Sequence, residues 1–212
     1  MKPISVSSLP YGLTQSDIDL LFDIARTALH KTIIEGEHHW QPDLARLPEP
    51  LRQPAATFVT LYTDGKLHGC IGSVEPRLPM AWDVAKNAIA AARHDPRFPV
   101  LRPDELDRTE VEISILSPLQ EVPYTTLDEL LSKIRPGVDG VMVERGWQRG
   151  LLLPQVWEQI PDPREFLGHV ALKAGASPDI YLDPNTRVYI FQVHSFTQPA
   201  PMADVSRKTK GE

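Results

Sequence analysis

A single thiol is the residue of this chain best suited to covalent chemistry. Cys70 is the only cysteine, and Gly69 and Gly72 frame it in the segment Leu-His-Gly-Cys-Ile-Gly-Ser at residues 67–73. Glycine allows a ligand or a second backbone segment to approach closely. Two interpretations stay open: Cys70 is a nucleophile presented in a cleft, or it is a small buried residue that packs against a helix. His68 lies two residues before the thiol, where a regular strand permits a contact without requiring one.

Two arginines and a glutamine are candidates for binding an anion. Arg97 belongs to an Asp-Pro-Arg-Phe turn at residues 95–98, and a guanidinium on such a rigid turn can hold a carboxylate or phosphate through two hydrogen bonds. The alternative is a structural salt bridge that fixes the turn. Arg149 and Gln155 flank an apolar run where a strand pattern changes to a helix pattern. The free N–H groups at a helix start commonly contribute to ligand sites.

A pair of carboxylates offers proton transfer. Glu110, Glu112 and Ser114 alternate with apolar residues, so they share one face of a predicted strand. Two carboxylates on one face can act as general acid and general base if burial separates their pKa values. The alternative is a solvated face without a chemical role. Glu112 is the catalytic candidate of this pair.

Metal and cofactor chemistry find no support in the sequence. The seven histidines are scattered, and the one adjacent pair, His38 and His39, lies in a predicted loop. No spacing typical of a metal site occurs, and one cysteine can form neither an internal disulfide nor a thiolate cluster. Glycine-rich phosphate loops and dinucleotide-binding fingerprints are also missing. We therefore predict no metal and no cofactor.

Several helices and strands must position these residues. Thr14 and Ser16 begin a helix whose apolar stripe continues to Ile33, and residues 36–54 have the pattern of a loop. Asp64-Gly65 predicts a hairpin between two strands. The further predicted elements are strands at 57–62, 67–72, 110–116, 138–144, 150–153 and 187–196, and helices from Pro79 to before Pro96, at 126–134 and at 163–175. This irregular mixture predicts an α+β fold with a mixed, mainly antiparallel sheet flanked by helices.

The composition excludes some classes of protein. The chain has 212 residues with 22 basic and 28 acidic side chains, and its net charge of −6 argues against a nucleic-acid partner. Residues near Met1 do not resemble a secretory signal, and no apolar stretch reaches the length of a membrane span. We therefore expect a cytoplasmic protein without a membrane partner.

Seven sequence blocks resemble, in the same order, the AMME syndrome candidate gene 1 family. The resemblance covers about residues 20–196 and implies an α+β domain with a larger and a smaller subdomain. We therefore predict an N-terminal extension at 1–15, the domain at 16–196 and a disordered tail at 197–212. The blocks are 67–73, Asp-Pro-Arg-Phe at 95–98, Val-Glu-Ile-Ser-Ile-Leu at 111–116, Gly-Val-Asp-Gly-Val at 137–141, Arg-Gly-Leu-Leu-Leu-Pro-Gln-Val-Trp at 149–157, Glu-Phe-Leu at 165–167 and Leu-Lys-Ala-Gly at 172–175.

The resemblance also implies partners and a site. Microbial members are similar to protein A of AmmeMemoRadiSam systems, which accompanies a radical SAM protein and a Memo-like protein related to extradiol dioxygenases. The family's motif residues gather around a cleft, which here puts forward Cys70, Arg97, Glu112, Arg149 and Gln155. The family usually has arginine at the position of His68. A histidine there would hold an anion only when protonated, near or below a pH of about 6.5.

Two function hypotheses follow from these residues. The first is an enzyme in which Cys70 is the nucleophile, Arg97 or Arg149 binds a small anionic substrate and Glu112 transfers protons. The second is a non-catalytic module whose cleft binds a small anion or a segment of the Memo-like or radical SAM partner. The two differ in whether Cys70 itself is required.

Overall fold

The computed structural model describes residues 9–201, which form two compact units. The first unit comprises the described residues of Met1–Ile115 and His194–Glu212, and the second is Leu116–Val193. Each unit contains helices and a four-stranded antiparallel sheet, so the predicted α+β class is confirmed. Most of the predicted N-terminal extension, at residues 1–8, and most of the predicted tail, at residues 202–212, lie outside the described residues.

The helices and strands are close to those the sequence predicts. The helices are α1 Gln15–Ile33, α2 Glu49–Arg52, α3 Met80–Arg93, α4 Leu127–Lys133 and α5 Pro163–Lys173. The strands are β1 Thr57–Thr63, β2 Lys66–Gly72, β3 Thr109–Leu116, β4 Gln120–Glu121, β5 Gly140–Arg145, β6 Gln148–Leu152, β7 Arg187–Phe191 and β8 Val193–Gln198.

Local signals account for the helices of the first unit. Thr14 caps α1 through a capping box with Asp17, and the predicted apolar stripe is buried in the core. The predicted loop at 36–54 is only partly a loop, because it contains α2 and a 3-10 turn at Leu44–Arg46. Asp43 caps the 3-10 turn, and Pro48 and Pro50 lie at the start of α2. Both elements are too short to show a helical period in the sequence.

The first sheet has the strand order β2-β1-β3-β8, with one face on the helices. On that face, Val59, Leu61, Val111 and Ile113 are almost fully buried in one core with residues of α1 and α3. The alternate residues of β1 and β3, among them Thr60, therefore point to the opposite face. We call that opposite face the helix-free face.

The second unit has its own sheet and core. Its strand order is β4-β7-β5-β6, and α5 packs against β5 and β6. The rings of Trp157 and Phe166 stack in its core with their centroids 3.7 Å apart. Gly175 follows α5 with φ +67°, the left-handed conformation expected of a helix C-cap.

One predicted strand is two strands in the structure. Residues 187–196 look continuous in sequence, but β7 ends at Phe191, which pairs with Gly140 of the second sheet, and β8 belongs to the first sheet. Gln192 lies between them, where its N–H donates to Ser117 Oγ at 2.9 Å. The change of partner strand happens without a Gly or Pro, so no local signal marks it.

Candidate functional site

A one-residue bulge in β2 decides which face of the first sheet carries the thiol. The two-residue turn Asp64-Gly65 pairs Tyr62 with Leu67, but the next residue, Leu61, pairs with Gly69 rather than with His68. His68 is therefore an extra residue in β2. Every later residue of the strand faces the side of the sheet opposite to the one it would face in a regular hairpin. The bulge places Gly69 on the helix side and Cys70 on the helix-free face.

The contacts of Cys70 agree with that placement. Its Cα is paired with that of Thr60, whose hydroxyl donates to Sγ at 3.1 Å, and the cysteine is only partly buried. Gly69 takes the position against the helix: a Cβ there would lie 2.1 Å from the carbonyl oxygen of Ala91 in α3. The structure thus does not support packing of Cys70 against a helix. Gly69 is required for the close approach of helix and strand.

The Asp-Pro-Arg-Phe turn holds the backbone at the thiol. Asp95 has only 1% of its side chain exposed, and its carboxylate accepts the N–H of Cys70 at 2.9 Å. The Arg97 guanidinium donates to the same carboxylate through Nε at 2.9 Å and Nη2 at 2.7 Å. Hydrogen bonds from Arg97 and from the backbone N–H of Cys70 hold the pKa of Asp95 well below its usual range, and they outweigh the effect of burial.

Arg97 is a structural ion-pair partner that keeps one side of its guanidinium available. Nη2 also donates to the carbonyl oxygen of Cys70 at 3.2 Å, and the guanidinium carbon lies 5.3 Å from the ring centre of Phe98. The side chain is nevertheless 57% exposed, and Nη1 has no hydrogen-bond partner among residues 9–201. The structural salt bridge and the capture of an outside anion are therefore compatible.

His68 and Gly72 complete the immediate surroundings of the thiol segment. The His68 ring is 8% exposed and stacks on Phe98 with centroids 6.5 Å apart. Its Nε2 is buried without a hydrogen-bond partner among the described residues. A Cβ at Gly72 would lie 2.2 Å from the ring of Phe58, so Gly72 makes room for an aromatic neighbour. Both glycines of the motif thus have packing roles in the structure.

The carboxylates of β3 lie on the helix-free face, as the alternation predicts. Thr60 is paired with both Cys70 and Glu112, so these two residues lie on either side of it in one row across the sheet. Burial, and then the charge of Glu110, raises the pKa of Glu112 against the opposing effect of Thr197. Ser114 is 9% exposed and forms a 2.8 Å hydrogen bond with Ser195. This face is therefore partly buried rather than fully solvated.

Arg149 and Gln155 belong to the second unit. Arg149 is paired with Glu144 across β5 and β6, with 3.6 Å between Nε and the carboxylate, and Nε also lies 3.1 Å from the Met142 sulfur. Gln155 is exposed in a 3-10 turn at Pro154–Glu158, a shorter element than the helix that the sequence predicts. The first unit therefore brings together Cys70, Arg97 and Glu112, while Arg149 and Gln155 are placed on the other unit.

Two residues that hydrogen-bond to Cys70 were not candidates from the sequence: Asp95 and Thr60. Asp95 stands in the motif singled out for Arg97, and a carboxylate two residues before an arginine is a signal for a pair within the turn. Thr60 had no such signal, because its contact with Cys70 depends on the bulge at His68. Regular pairing from the Asp64-Gly65 turn would have placed Val59 beside the thiol.

Residues 9–201 offer neither a metal-binding cluster nor a membrane-spanning helix. There, no group of three or more histidine, cysteine, aspartate and glutamate side chains is arranged to hold a metal ion. None of the helices in this range is both long enough and apolar enough to cross a bilayer.

Comparison with known proteins gives a consistent result. The AMMECR1 family profile matches residues 22–196. A protein of Methanothermobacter thermautotrophicus is 44% identical over 185 residues, which cover 87% of this chain and 95% of the relative. Protein MJ0810 of Methanocaldococcus jannaschii is 40% identical over 164 residues, 76% of this chain and 82% of the relative.

A solved structure shares the fold. The crystal structure of the uncharacterized protein PH0010 from Pyrococcus horikoshii superimposes with a TM-score of 0.69 at 35% sequence identity. The similarity covers 89% of this chain and 95% of the other. The predicted resemblance is thus supported by both sequence and structure.

Proposed function

The chain belongs to the AMMECR1 family, and from that premise we propose that it is an enzyme whose Cys70 thiol attacks a small anionic substrate bound by Arg97. The observation that carries the proposal is the coupling of these two residues through Asp95. One carboxylate accepts hydrogen bonds from the N–H of Cys70 and from the guanidinium of Arg97. The thiol and the group that binds the charge of the substrate are therefore held at a fixed separation.

The electrostatics support an anion beside the thiol. The pKa of Arg97 is raised, first by the hydrogen bond to Asp95 and in smaller part by the charge of Cys70. A guanidinium that interacts with the thiolate also attracts an anionic substrate to the same place. The Thr60 hydroxyl donates to Sγ and stabilises the negative charge with which sulfur attacks.

The proposed reaction uses water as the second reactant. The electron pair of Cys70 Sγ forms a bond to an acyl carbon of the substrate, the bond from that carbon to its leaving group breaks, and the thiol proton passes to solvent. Glu112, whose pKa is raised by burial, gives a proton to the leaving group. Water then cleaves the sulfur–carbon bond and restores the thiol. Glu112 is two strands from Cys70, about 10 Å between Cα atoms, so it would reach the leaving group through one bridging water and regain its proton from solvent.

Two alkylating agents of different charge test this proposal. Iodoacetate is anionic and iodoacetamide is neutral, and intact mass reports their reaction with the single thiol without ambiguity. We expect the iodoacetate-to-iodoacetamide rate ratio of Cys70 to exceed that of N-acetylcysteine amide by about tenfold, because Arg97 attracts the anionic reagent.

Matched variants make the test specific. Arg97→Lys retains a positive charge and should keep most of the preference, whereas Arg97→Gln should lose it. Arg46→Gln removes an 87% exposed arginine of the same unit and should change nothing. An equal ratio for Cys70 and the reference thiol, or no labelling until the protein unfolds, would refute the proposal.

A second candidate is a non-catalytic binding module. The observation in its favour is that, within residues 9–201, the hydrogen-bond partner of Sγ is the Thr60 hydroxyl and not a histidine or carboxylate base. The cleft would then bind a small anion or a segment of a Memo-like or radical SAM protein. Association with these two proteins should survive Cys70→Ala and fail in Arg97→Gln. Binding that persists in Arg97→Gln would count against this candidate.

A further inference from the structure

One pocket of the first unit is lined by none of the residues of the thiol site. Its volume is about 270 Å³, and it lies between the segment that follows α1 and one face of α3. We call it the α3 pocket. Its lining includes His38, His39, Trp40, Lys86, Ile89 and His94.

One wall of the α3 pocket is apolar and aromatic. Trp40 also packs against the hydrophobic core of the unit, and Ile89, 5% exposed, is part of that core. An indole beside an aliphatic side chain offers a flat surface on which a ring can stack. The volume suits a single substituted ring and is smaller than a typical site for a drug-sized ligand.

The polar lining is cationic or donates hydrogen bonds. Lys86 and Ala90 are four residues apart and share one face of α3, and His94, the C-cap residue of α3, follows at the same spacing. Lys86 is exposed and has no ion-pair partner within 4 Å among residues 9–201. No lining residue is a carboxylate, although the chain carries a net charge of −6. The pocket lining therefore offers one ammonium group and several imidazole groups without an opposing carboxylate.

The segment that closes the pocket is held in place at three points. The Thr32 hydroxyl lies 2.9 Å from His38 Nδ1, and Trp40 is held by the core. The Trp82 indole N–H donates to the carbonyl oxygen of Pro42 at 3.0 Å. A pocket fixed in this way loses little conformational entropy when it binds a ligand.

From this arrangement we infer that the α3 pocket binds a small aromatic carboxylate. The ring lies against Trp40 and Ile89, and the carboxylate accepts hydrogen bonds from the Lys86 ammonium and from an imidazole N–H of His94. This site is separate from the thiol site, so the two proposals stand or fall independently.

Titration of the ¹⁵N-labelled full chain with benzoate tests the inference. The chain has four tryptophans, so four indole N–H signals are observed, and Trp40→Phe assigns the one from the pocket. Benzoate should shift that signal saturably with a Kd of about 1 mM. Benzamide has the same shape without the charge and acetate has the charge without the ring, so each should bind at least about fivefold more weakly.

Variants test whether Lys86 is the cation that binds the carboxylate of benzoate. Lys86→Gln should raise the Kd for benzoate about fivefold, because it removes the charge and keeps the chain length. Lys173→Gln, at an exposed lysine of α5, should leave the Kd unchanged. An unshifted Trp40 signal, equal affinity for benzamide, or an unchanged Kd in a folded Lys86→Gln variant would each overturn the inference.

Discussion

The carboxylate of Asp95 accepts the backbone N–H of Cys70 at 2.9 Å, so a turn that follows α3 fixes the strand segment carrying the thiol. The same carboxylate also receives Arg97, and it is almost completely buried. Asp95 thus joins three parts of the candidate site: the backbone of β2, the exposed guanidinium and the end of the helix. The separation of thiol and cation depends on this side chain together with the hydrogen bond from Arg97 Nη2 to the carbonyl oxygen of Cys70.

Asp95→Asn should destabilise the protein by about 2 kcal/mol at pH 7, because hydrogen bonds to a charged group contribute more than neutral ones. The lowered pKa of Asp95 stabilises the fold above about pH 4, the unfolded value, and this contribution is lost as the pH falls below it. Urea unfolding of both proteins at several pH values measures the difference. A difference that stays constant between pH 7 and pH 2.5 would contradict the assigned role.

Thr60→Val should slow the alkylation of Cys70 by iodoacetamide about threefold at neutral pH. Valine has the shape of threonine but cannot donate to the sulfur, so the negative charge of the attacking thiolate loses one hydrogen bond. Thr63→Val is the matched control, since Thr63 lies on the same strand and bonds to Thr109 instead. Equal rates in Thr60→Val and the unaltered chain would show that the hydroxyl does not act on the thiol.

Gly69→Ala should cost about 3 kcal/mol of stability. The added Cβ would lie 2.1 Å from the carbonyl oxygen of Ala91, and helix backbone can move away only by separating α3 from the sheet. Gly168→Ala in α5 provides the control, because a Cβ there meets nothing within 4 Å. That variant should instead gain roughly 0.5 kcal/mol from higher helix propensity. Thermal unfolding of both variants compares them, and a neutral Gly69→Ala would argue against the close approach.

Glu112→Gln should raise the melting temperature at pH 8. Burial and Glu110 raise the pKa of Glu112, so the folded state holds its proton more tightly than the unfolded state does. Folding stability is therefore lost as the pH rises above the pKa that Glu112 has in the unfolded chain. Glutamine does not ionise, so it removes that loss. The gain should vanish near pH 3, where the carboxyl is protonated in both states.

Calorimetry across that pH range measures the effect of Glu112→Gln. Glu158→Gln, at an exposed glutamate of the second unit, is the control and should show no gain that grows with pH. A loss of stability in Glu112→Gln at pH 8 would show that the ionised carboxylate is instead favoured by its surroundings.

Local sequence signals predicted the helices, turns and strands around the site better than the positions of its side chains. The cap at Thr14, the Asp64-Gly65 turn and the alternation in β3 each appear in the structure, because each depends on neighbours in sequence. The face on which Cys70 lies could not be predicted in this way. A regular hairpin would pair Cys70 with Val59 in the core, and only the bulge at His68 reverses this.

Contacts between distant segments account for the remaining differences. Arg97 meets the carbonyl of Cys70 from 27 residues away, and no spacing rule brings these two residues together. The break at Gln192 was missed for a similar reason, since one residue separates β7 from β8 and only their partner strands show that they belong to different sheets. The motif blocks indicated which residues matter, whereas tertiary packing decided which of them meet.

The position of the second unit within the chain affects how the protein is made. Leu116–Val193 is inserted between β3 and β8, which are neighbours in the first sheet. A ribosome adding about 5–20 residues per second leaves the outer edge of β3 without its neighbour for roughly 4–16 seconds. Every strand of the second sheet has been synthesised by Phe191, before β8 emerges. The nascent chain therefore completes the second unit before the first unit, which contains Cys70. Until β8 is synthesised, the open edge of β3 needs protection from aggregation.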